Sequence, residues 1–200
     1  MSLDREMQSH KHLEDYLELM TGRRVGHESA KSFVSMPWWF KYLTGNVLDI
    51  GYKGNDANTL PIVPNAWGID ADDYDGVHLP FSDESQNAVY SSHCLEHIED
   101  DVMAIKEWFR VLKIGGHLII AVPHEFLYER GRKTDHKHFY TPATLMLKIE
   151  KALKPNSYRL RSLRDNDMFY DYSIPPKTHP VGSYEIELVL EKIKAPEWRL

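Results

Sequence analysis

The sequence predicts an α/β fold in which helices alternate with the strands of an open, mostly parallel sheet. Short apolar runs typical of buried parallel strands occur at "NVLDI", "AWGID", "NAVYSS" and "HLIIAV". Between the last two, "DDVMAIKEWFRVL" has apolar residues at helical spacing. Ligands of such sheets bind outside the carboxyl ends of the strands, which is where we look for functional residues.

Length and composition fit one domain. The chain has 200 residues, of which 42% are hydrophobic, and it contains no internal repeat or Gly/Ser-rich linker. We therefore expect a single domain over residues 1–200. Helices in 1–44 should cap it, residues 45–123 should form the ligand-binding core, and residues 124–200 should supply a substrate-side loop, a helix and closing strands.

The composition also limits the class of protein. No apolar segment approaches the roughly 20 residues that cross a bilayer, and "MSLDREMQSHKH" lacks the apolar stretch of an export signal. The lone Cys94 excludes an internal disulfide and a thiolate-rich zinc site. A net charge of −6 argues against a long nucleic-acid partner. We expect a cytoplasmic protein with no membrane partner, and the oligomeric state stays open.

Two helices are expected before the sheet. Residues 4–20 and 28–43 both have helix-like spacing of apolar side chains. The second contains Trp38, Trp39 and Tyr42. These aromatic rings either belong to the core or cover a bound ligand.

Capping signals mark two later helices. Asp100 and Asp101 suit the start of the helix in "DDVMAIKEWFRVL", and Gly115 suits its exit. Thr141 followed by Pro142 predicts the start of a helix that continues to about residue 153.

The chain is expected to end in an antiparallel pair of strands. "YEIELVLEKI" alternates apolar residues with Glu185, Glu187 and Glu191, the period-two pattern of a half-exposed strand. "SYRLRSL" can be its partner. We expect the three glutamates to lie on the exposed face.

Two acids stand at the ends of the first two predicted strands. Asp49 ends the first strand, and Gly51 and Gly54 allow the backbone to turn sharply near a ligand. Asp70 ends the second strand, where it can accept hydrogen bonds from two ribose hydroxyls. A nucleoside cofactor is therefore expected. An NAD site is an alternative, although the third glycine of its usual motif is missing.

The segment from about residue 46 to residue 123 resembles class I S-adenosylmethionine-dependent methyltransferases. Members of the broad type 11-like, small-molecule subgroup carry D-x-G after the first strand, an acid after the second, D-x-x-x-L-P-F, L-E-H and R-V-L-K-P-G-G. Similar motifs stand here in the same order, at residues 49–51, 70, 75–81, 95–97 and 110–116. The resemblance implies a Rossmann-like fold, S-adenosyl-L-methionine as cofactor and methylation as the activity.

The resemblance also implies individual roles. Asp49 and Gly51 would lie beside the methionine part of the cofactor, and Asp70 would hold the ribose. Asp75 and the Gly76 backbone would face the adenine, because a carboxylate can accept the exocyclic amine. Ser92 and His93 would lie nearest to the sulfonium. His97 would be a structural hydrogen-bonding residue. The full set of expected cofactor-binding residues is Asp49, Ile50, Gly51, Gly54, Asp70, Ala71, Asp75, Gly76, Ser92 and His93.

The sequence departs from the subgroup's pattern in the first loop. Lys53 and Asn55 stand where further glycines are usual, and Ile114 replaces a proline. Between Asp70 and Asp75 there is no room for a helix. A protein that binds the cofactor without catalysis is therefore an alternative.

Four histidines are candidates for the base that would deprotonate a hydroxyl acceptor. His124 follows the "HLIIAV" strand, and His136 and His138 lie in "TDHKHFYT", so that these residues and His93 can converge at one edge of the sheet. The same imidazoles with Asp135 could ligate a divalent metal, but H-x-H in a loop is a weak signal and no metal is predicted.

The acceptor is the least determined part of the prediction. The polar residues Arg130, Arg132, Asp135 and Tyr140 suit a hydroxyl-rich or phosphorylated molecule. We expect O-methylation of a small or sugar-like, glycan-type acceptor. Nitrogen acceptors, tRNA and protein remain alternatives.

Overall fold

The computed structural model describes residues 18, 22–35, 37–53, 58–128, 135–168, 170–179 and 184–196. The expected first helix, Gly54, Arg130 and Arg132 lie outside the described residues. Within these ranges, no helix is both long enough and apolar enough to cross a membrane.

One six-stranded sheet organises the domain, as predicted. Its strands in chain order are β1 (Val47–Ile50), β2 (Ala66–Ile69), β3 (Gln86–Ser92), β4 (Leu112–Pro123), β5 (Tyr158–Asn166) and β6 (Glu185–Lys192). Their order across the sheet is β2-β1-β3-β4-β6-β5. The first four strands are parallel, whereas β6 runs antiparallel to both β4 and β5. The fold is therefore the open, Rossmann-like α/β sheet expected from the sequence.

Three α-helices pack around the sheet within the described residues: α1 (His27–Ser35), α2 (Asp101–Val111) and α3 (Pro142–Ala152). α1 is shorter than the predicted helix over 28–43, and a 3-10 helix over Pro37–Tyr42 follows it. Proline is favoured at the first position of a helix, so Pro37 marks the start of a new helical segment. No helix follows β2, as predicted, and only turns occupy residues 71–73.

The predicted caps of α2 and α3 are present. The Asp100 side chain accepts a hydrogen bond from the Met103 N–H at 2.9 Å. Thr141 and Thr144 form a reciprocal capping box at the start of α3. The exit predicted at Gly115 is wrong, because α2 ends at Val111 and β4 begins immediately with Leu112.

The closing strand β6 is not half-exposed, which corrects the sequence prediction. Glu185 and Glu187 are buried. The reason is that β6 is inserted between β4 and β5, and α1 with the following 3-10 helix covers its second face. The Glu187 carboxylate accepts hydrogen bonds from Asn166 Nδ2 at 2.9 Å and from Trp39 Nε1 at 3.2 Å. The alternating sequence pattern therefore predicted correctly which residues share a face of β6. Its prediction that one face is exposed to solvent was wrong.

The two faces of the sheet carry separate cores. Trp108 of α2, Leu145 of α3 and Leu188 of β6 belong to the larger one. Trp39 belongs to the smaller one, where its ring stacks on Tyr90 at 5.5 Å between centroids. Because Trp39 is buried in this second core, its ring belongs to the core and does not cover a ligand.

Candidate functional site

The carboxyl ends of the four parallel strands lie side by side at one edge of the sheet. Ile50 of β1 pairs with Ile69 of β2 and with Ser91 of β3, and Ser92 pairs with Ala121 of β4. This register places the residues that follow β1, β2 and β3 at the same level. The edge is the location expected for a ligand of an open α/β sheet.

Gly51 occupies the tightest position at this edge. Its φ angle is +81°, and its N–H donates to the Ile69 carbonyl at 2.7 Å. A Cβ atom added to Gly51 would lie 2.5 Å from the Cβ of Cys94. Only glycine fits here, because the turn after β1 presses directly against the segment after β3.

Asp70 connects the loops that follow β1 and β2. Its Oδ2 accepts a hydrogen bond from the Lys53 N–H at 3.0 Å, and its Oδ1 accepts one from the Ala71 N–H at 2.8 Å. An ionised carboxylate has about four acceptor sites, so two backbone donors leave room for further donors. Asp70 is therefore held in place at the strand end with acceptor capacity to spare.

The Asp49 carboxylate supports the loop before β2. It is buried, and its Oδ2 accepts a hydrogen bond from the Ile62 N–H at 2.6 Å. Burial raises the pKa of Asp49 to about 7, the Ile62 hydrogen bond opposes this increase, and the charge of Asp70 adds to it. The side chain thus has a structural partner, and the protonation state of Asp49 changes near neutral pH.

Asp75 holds a turn together. Its Oδ1 accepts hydrogen bonds from the N–H groups of Val77 and His78, both at 2.9 Å, and its Oδ2 lies 2.8 Å from Nδ1 of His78. The hydrogen bond from the His78 ring is the main reason that the pKa of Asp75 is lowered. The Gly76 carbonyl accepts a hydrogen bond from Trp108 Nε1 at 2.7 Å. The turn that would face an adenine is therefore anchored to helix α2.

Three imidazoles surround one buried carboxylate immediately after β3. The Oε1 atom of Glu96 lies 3.7 Å from His93 Nδ1, 3.8 Å from His97 Nε2 and 4.0 Å from His136 Nε2. Glu96 is fully buried, and His93 has a left-handed backbone with φ of +49°. We call Glu96, His93, His97 and His136 the imidazole cluster.

Backbone hydrogen bonds hold the loop carrying His136 against the cluster. The N–H groups of Lys137 and His138 donate to the Glu96 carbonyl at 2.7 and 3.2 Å. Further along, the Tyr140 hydroxyl donates to Asp101 Oδ2 at 3.0 Å. Burial, followed by the charges of His97 and His93, lowers the pKa of His136 to about 4, so its imidazole is neutral at neutral pH.

The four predicted base candidates therefore occupy different surroundings. His93 and His136 lie together in the imidazole cluster. His138 Nε2 lies 3.1 Å from the Glu99 carbonyl and its Nδ1 lies 3.5 Å from Asp101, so its ring contacts the start of α2. His124 Nδ1 accepts a hydrogen bond from the Phe126 N–H at 3.2 Å, and its ring packs on Tyr184.

Sequence reasoning gave no functional role to two members of the cluster, Glu96 and His97. Both were visible in the L-E-H motif, which places them directly after a strand end. Glu185 was also missed, and its Oε1 lies 3.6 Å from His93 Nε2. No local signal identifies Glu185, because its approach depends on β6 pairing with β4.

Comparison with known proteins supports the resemblance found in the sequence. Residues 53–120 match the family model described as "Methyltransferase domain". A Mycolicibacterium smegmatis protein named "Probable S-adenosylmethionine-dependent methyltransferase" is 33% identical over 63 residues, which are 32% of this chain and 24% of that protein. A Streptomyces griseus demethylmenaquinone methyltransferase is 44% identical over 46 residues, which are 23% of this chain and 20% of that protein.

These matched segments span about a quarter or less of the relatives' lengths. In contrast, a structure of a SAM-dependent methyltransferase from Aquifex aeolicus matches 93% of this chain and 98% of its own, with 14% identity and a TM-score of 0.52. That likeness concerns the fold. Together, the family match, the relatives and the fold bear out the resemblance to S-adenosylmethionine-dependent methyltransferases, a class whose cofactor is S-adenosylmethionine.

The close approach at Gly51 generates the first prediction. Gly51→Ala should destabilise the protein by roughly 1–3 kcal/mol more than Gly115→Ala, because overpacking against Cys94 adds to the cost of a left-handed alanine. Gly115 is a matched control, since its φ is +82° and no atom lies within 4 Å of an added Cβ. Chemical denaturation measures both variants. Equal losses of stability would show that the contact with Cys94 relaxes without cost.

The raised pKa of Asp49 generates a prediction about pH. The folded protein retains a proton on Asp49 between pH 3.8 and about 7, where the unfolded chain has lost it. The contribution of Asp49 to the free energy of unfolding therefore falls as pH rises through this window. Asp49→Asn should gain stability relative to wild type over the same window, by at most about 4 kcal/mol. Parallel curves of unfolding free energy against pH would contradict this prediction.

Proposed function

We propose that this chain, a class I S-adenosylmethionine-dependent methyltransferase by sequence and fold, catalyses O-methylation of a small, sugar-like acceptor. The observation that carries the proposal is the convergence at one sheet edge of Gly51, Asp70 and the imidazole cluster. The first two suit the cofactor, and the cluster suits the chemistry of a hydroxyl acceptor.

The cofactor fits the residues at the ends of β1 and β2. The acceptor capacity left on Asp70 suits the two hydroxyls of a ribose. The turn at Gly51 has no side chain to block an approaching ligand. Asp75 and Gly76 would lie beside the adenine, with the Asp75 carboxylate able to accept a further hydrogen bond. When bound, S-adenosylmethionine supplies a sulfonium methyl group as the electrophile.

The imidazole cluster suits removal of a proton from the acceptor. His93 follows β3 directly and lies between the carboxylates of Glu96 and Glu185, at 3.7 and 3.6 Å. These acids can orient the ring and stabilise the imidazolium that forms when His93 takes a proton. His136 is neutral and can accept a hydrogen bond from the same hydroxyl.

Exposed aromatic side chains in the segments that follow β4 and precede β6 support a sugar-like acceptor. Phe126 is 61% exposed and Tyr172 is 66% exposed. Phe126 packs beside His124, and Tyr172 packs beside Tyr184, which precedes β6. Aromatic faces combined with polar neighbours bind molecules that have both apolar faces and hydroxyls.

The ribose contact is tested by a pair of substitutions and a pair of ligands. Asp70→Ala should weaken S-adenosylhomocysteine binding by about 1–3 kcal/mol, because ribose donors lose their acceptor. Asp72→Ala, which removes an exposed acid two residues away, is the control. Isothermal calorimetry with an analogue lacking the ribose hydroxyls should show the same affinity for wild type and Asp70→Ala.

The same titrations decide between cofactors. Stabilisation by NAD but not by S-adenosylhomocysteine in thermal unfolding would favour the dinucleotide alternative. Unchanged S-adenosylhomocysteine affinity in Asp70→Ala would place the ribose elsewhere.

The activity is tested with labelled S-adenosylmethionine and panels of sugars, nucleotide sugars, quinols and amines. With a hydroxyl acceptor, His93→Ala should lower the single-turnover rate by roughly 10²–10⁴ while S-adenosylhomocysteine affinity stays nearly constant. His138→Ala is the control, because its ring contacts the start of α2. Transfer to amines alone, or full activity of His93→Ala, would contradict the proposal. Cofactor binding without transfer to any panel would favour the non-catalytic alternative.

A further inference from the structure

We propose that Glu96, His97 and His136 bind a divalent first-row transition metal ion. The sequence predicted no metal. The fold brings Glu96 and His97, which follow β3, together with His136, which lies some forty positions later in the chain. The metal site adds to the proposed function, and the role of the metal in catalysis rests on that proposal.

The proposed ligand atoms are slightly farther apart than they would be around a bound ion. One ligand atom from each of Glu96, His97 and His136 lies within 4.8 Å of the others. Two ligands of an ion with bonds of about 2.1 Å are ~3.4 Å apart in tetrahedral geometry. The distances of 3.8 and 4.0 Å from Glu96 Oε1 to the two imidazoles exceed this value by about half an ångström. Small side-chain rotations can close that difference.

The same distances argue against direct hydrogen bonds between these groups. A hydrogen bond between an imidazole and a carboxylate is about 2.7–2.9 Å long when charged. The imidazole nitrogens of His97 and His136 instead lie 3.8 and 4.0 Å from Glu96 Oε1. Each separation is shorter than two coordination bonds of about 2.1 Å placed end to end, so that an ion between the two atoms can contact both.

A contact outside the cluster orients one of the proposed ligands. Asp135 Oδ1 lies 3.0 Å from Nδ1 of His97, while Nε2 of the same ring faces Glu96. A carboxylate behind a histidine fixes the tautomer and raises the basicity of the nitrogen that binds the metal.

The ligand types indicate the class of metal. Imidazoles favour Zn²⁺, Fe²⁺, Co²⁺ and related ions, whereas Mg²⁺ and Ca²⁺ prefer sites made of oxygen ligands. Two histidines with one carboxylate leave at least one position open for a further ligand. If the chain methylates a hydroxyl as proposed above, an ion at this position would coordinate that hydroxyl and lower its pKa. An acceptor with two adjacent hydroxyls could then bind as a chelate.

Metal binding is tested without any acceptor. Protein dialysed against chelator should bind one equivalent of Co²⁺, with visible d–d absorption as the readout. His97→Ala and His136→Ala should each weaken binding by at least about 100-fold, and Asp135→Asn by about tenfold. His117→Ala is the matched control. His117 pairs with Ala88 near the start of β3, away from the strands' carboxyl ends, so this variant should bind Co²⁺ like wild type.

Thermal unfolding and S-adenosylhomocysteine affinity identify variants that fail to fold. Absence of saturable Co²⁺ binding, or equal binding by wild type, His97→Ala and His136→Ala, would overturn the metal site. Saturable binding lost in those two variants would establish the site even if no acceptor is methylated, which separates it from the proposed function. Full methyl transfer in chelator by metal-free protein would overturn its catalytic role.

Discussion

The parallel register of β1, β3 and β4 is the constraint on which the site depends. Pairing of Ile50 with Ser91 and of Ser92 with Ala121 makes neighbouring strands end at the same level. The loop after each strand must then turn within the same narrow space, which explains why Gly51 contacts Cys94 so closely. A one-residue slip would turn every side chain of a strand to the opposite face of the sheet, where it would not fit the core that covers that face. The register therefore fixes the loops above it.

Buried acids give this edge its electrostatic character. Asp49, Glu96, Glu185 and Glu187 are all buried, and burial raises the pKa of Asp49 and of Glu187 to about 7 in each case. Carboxylates removed from water need hydrogen bonds or cations nearby. Glu187 receives hydrogen bonds from side chains of three other elements, whereas Glu96 is surrounded by imidazoles. The hydrogen-bonded carboxylate of Glu187 suits a structural role. The carboxylate of Glu96, with imidazoles around it, suits proton transfer or metal binding.

Within the part of the chain that the structure describes, no helix lies between β2 and β3. Only turns follow β2, and Asp75 and Gly76 are held by local hydrogen bonds and by Trp108 of α2. The hydrogen bond from Trp108 therefore fixes this turn to helix α2. The insertion of β6 between β4 and β5 serves a related purpose, because it brings Glu185 to the back of His93 without any contribution from the loops.

The sequence by itself determined the order of strands and helices, the caps at Asp100 and Thr141, and the acids at the ends of β1 and β2. These features follow from local spacing and from residues close together in the chain. Only the tertiary structure decided that Glu185 and Glu187 are buried, that Asp49 binds the backbone of Ile62, and that His136 joins His93, His97 and Glu96. Such outcomes depend on which strand is inserted beside which and on a loop returning across the sheet edge. No local pattern encodes those contacts, because the partners are separated by many residues and meet only when the strands pair.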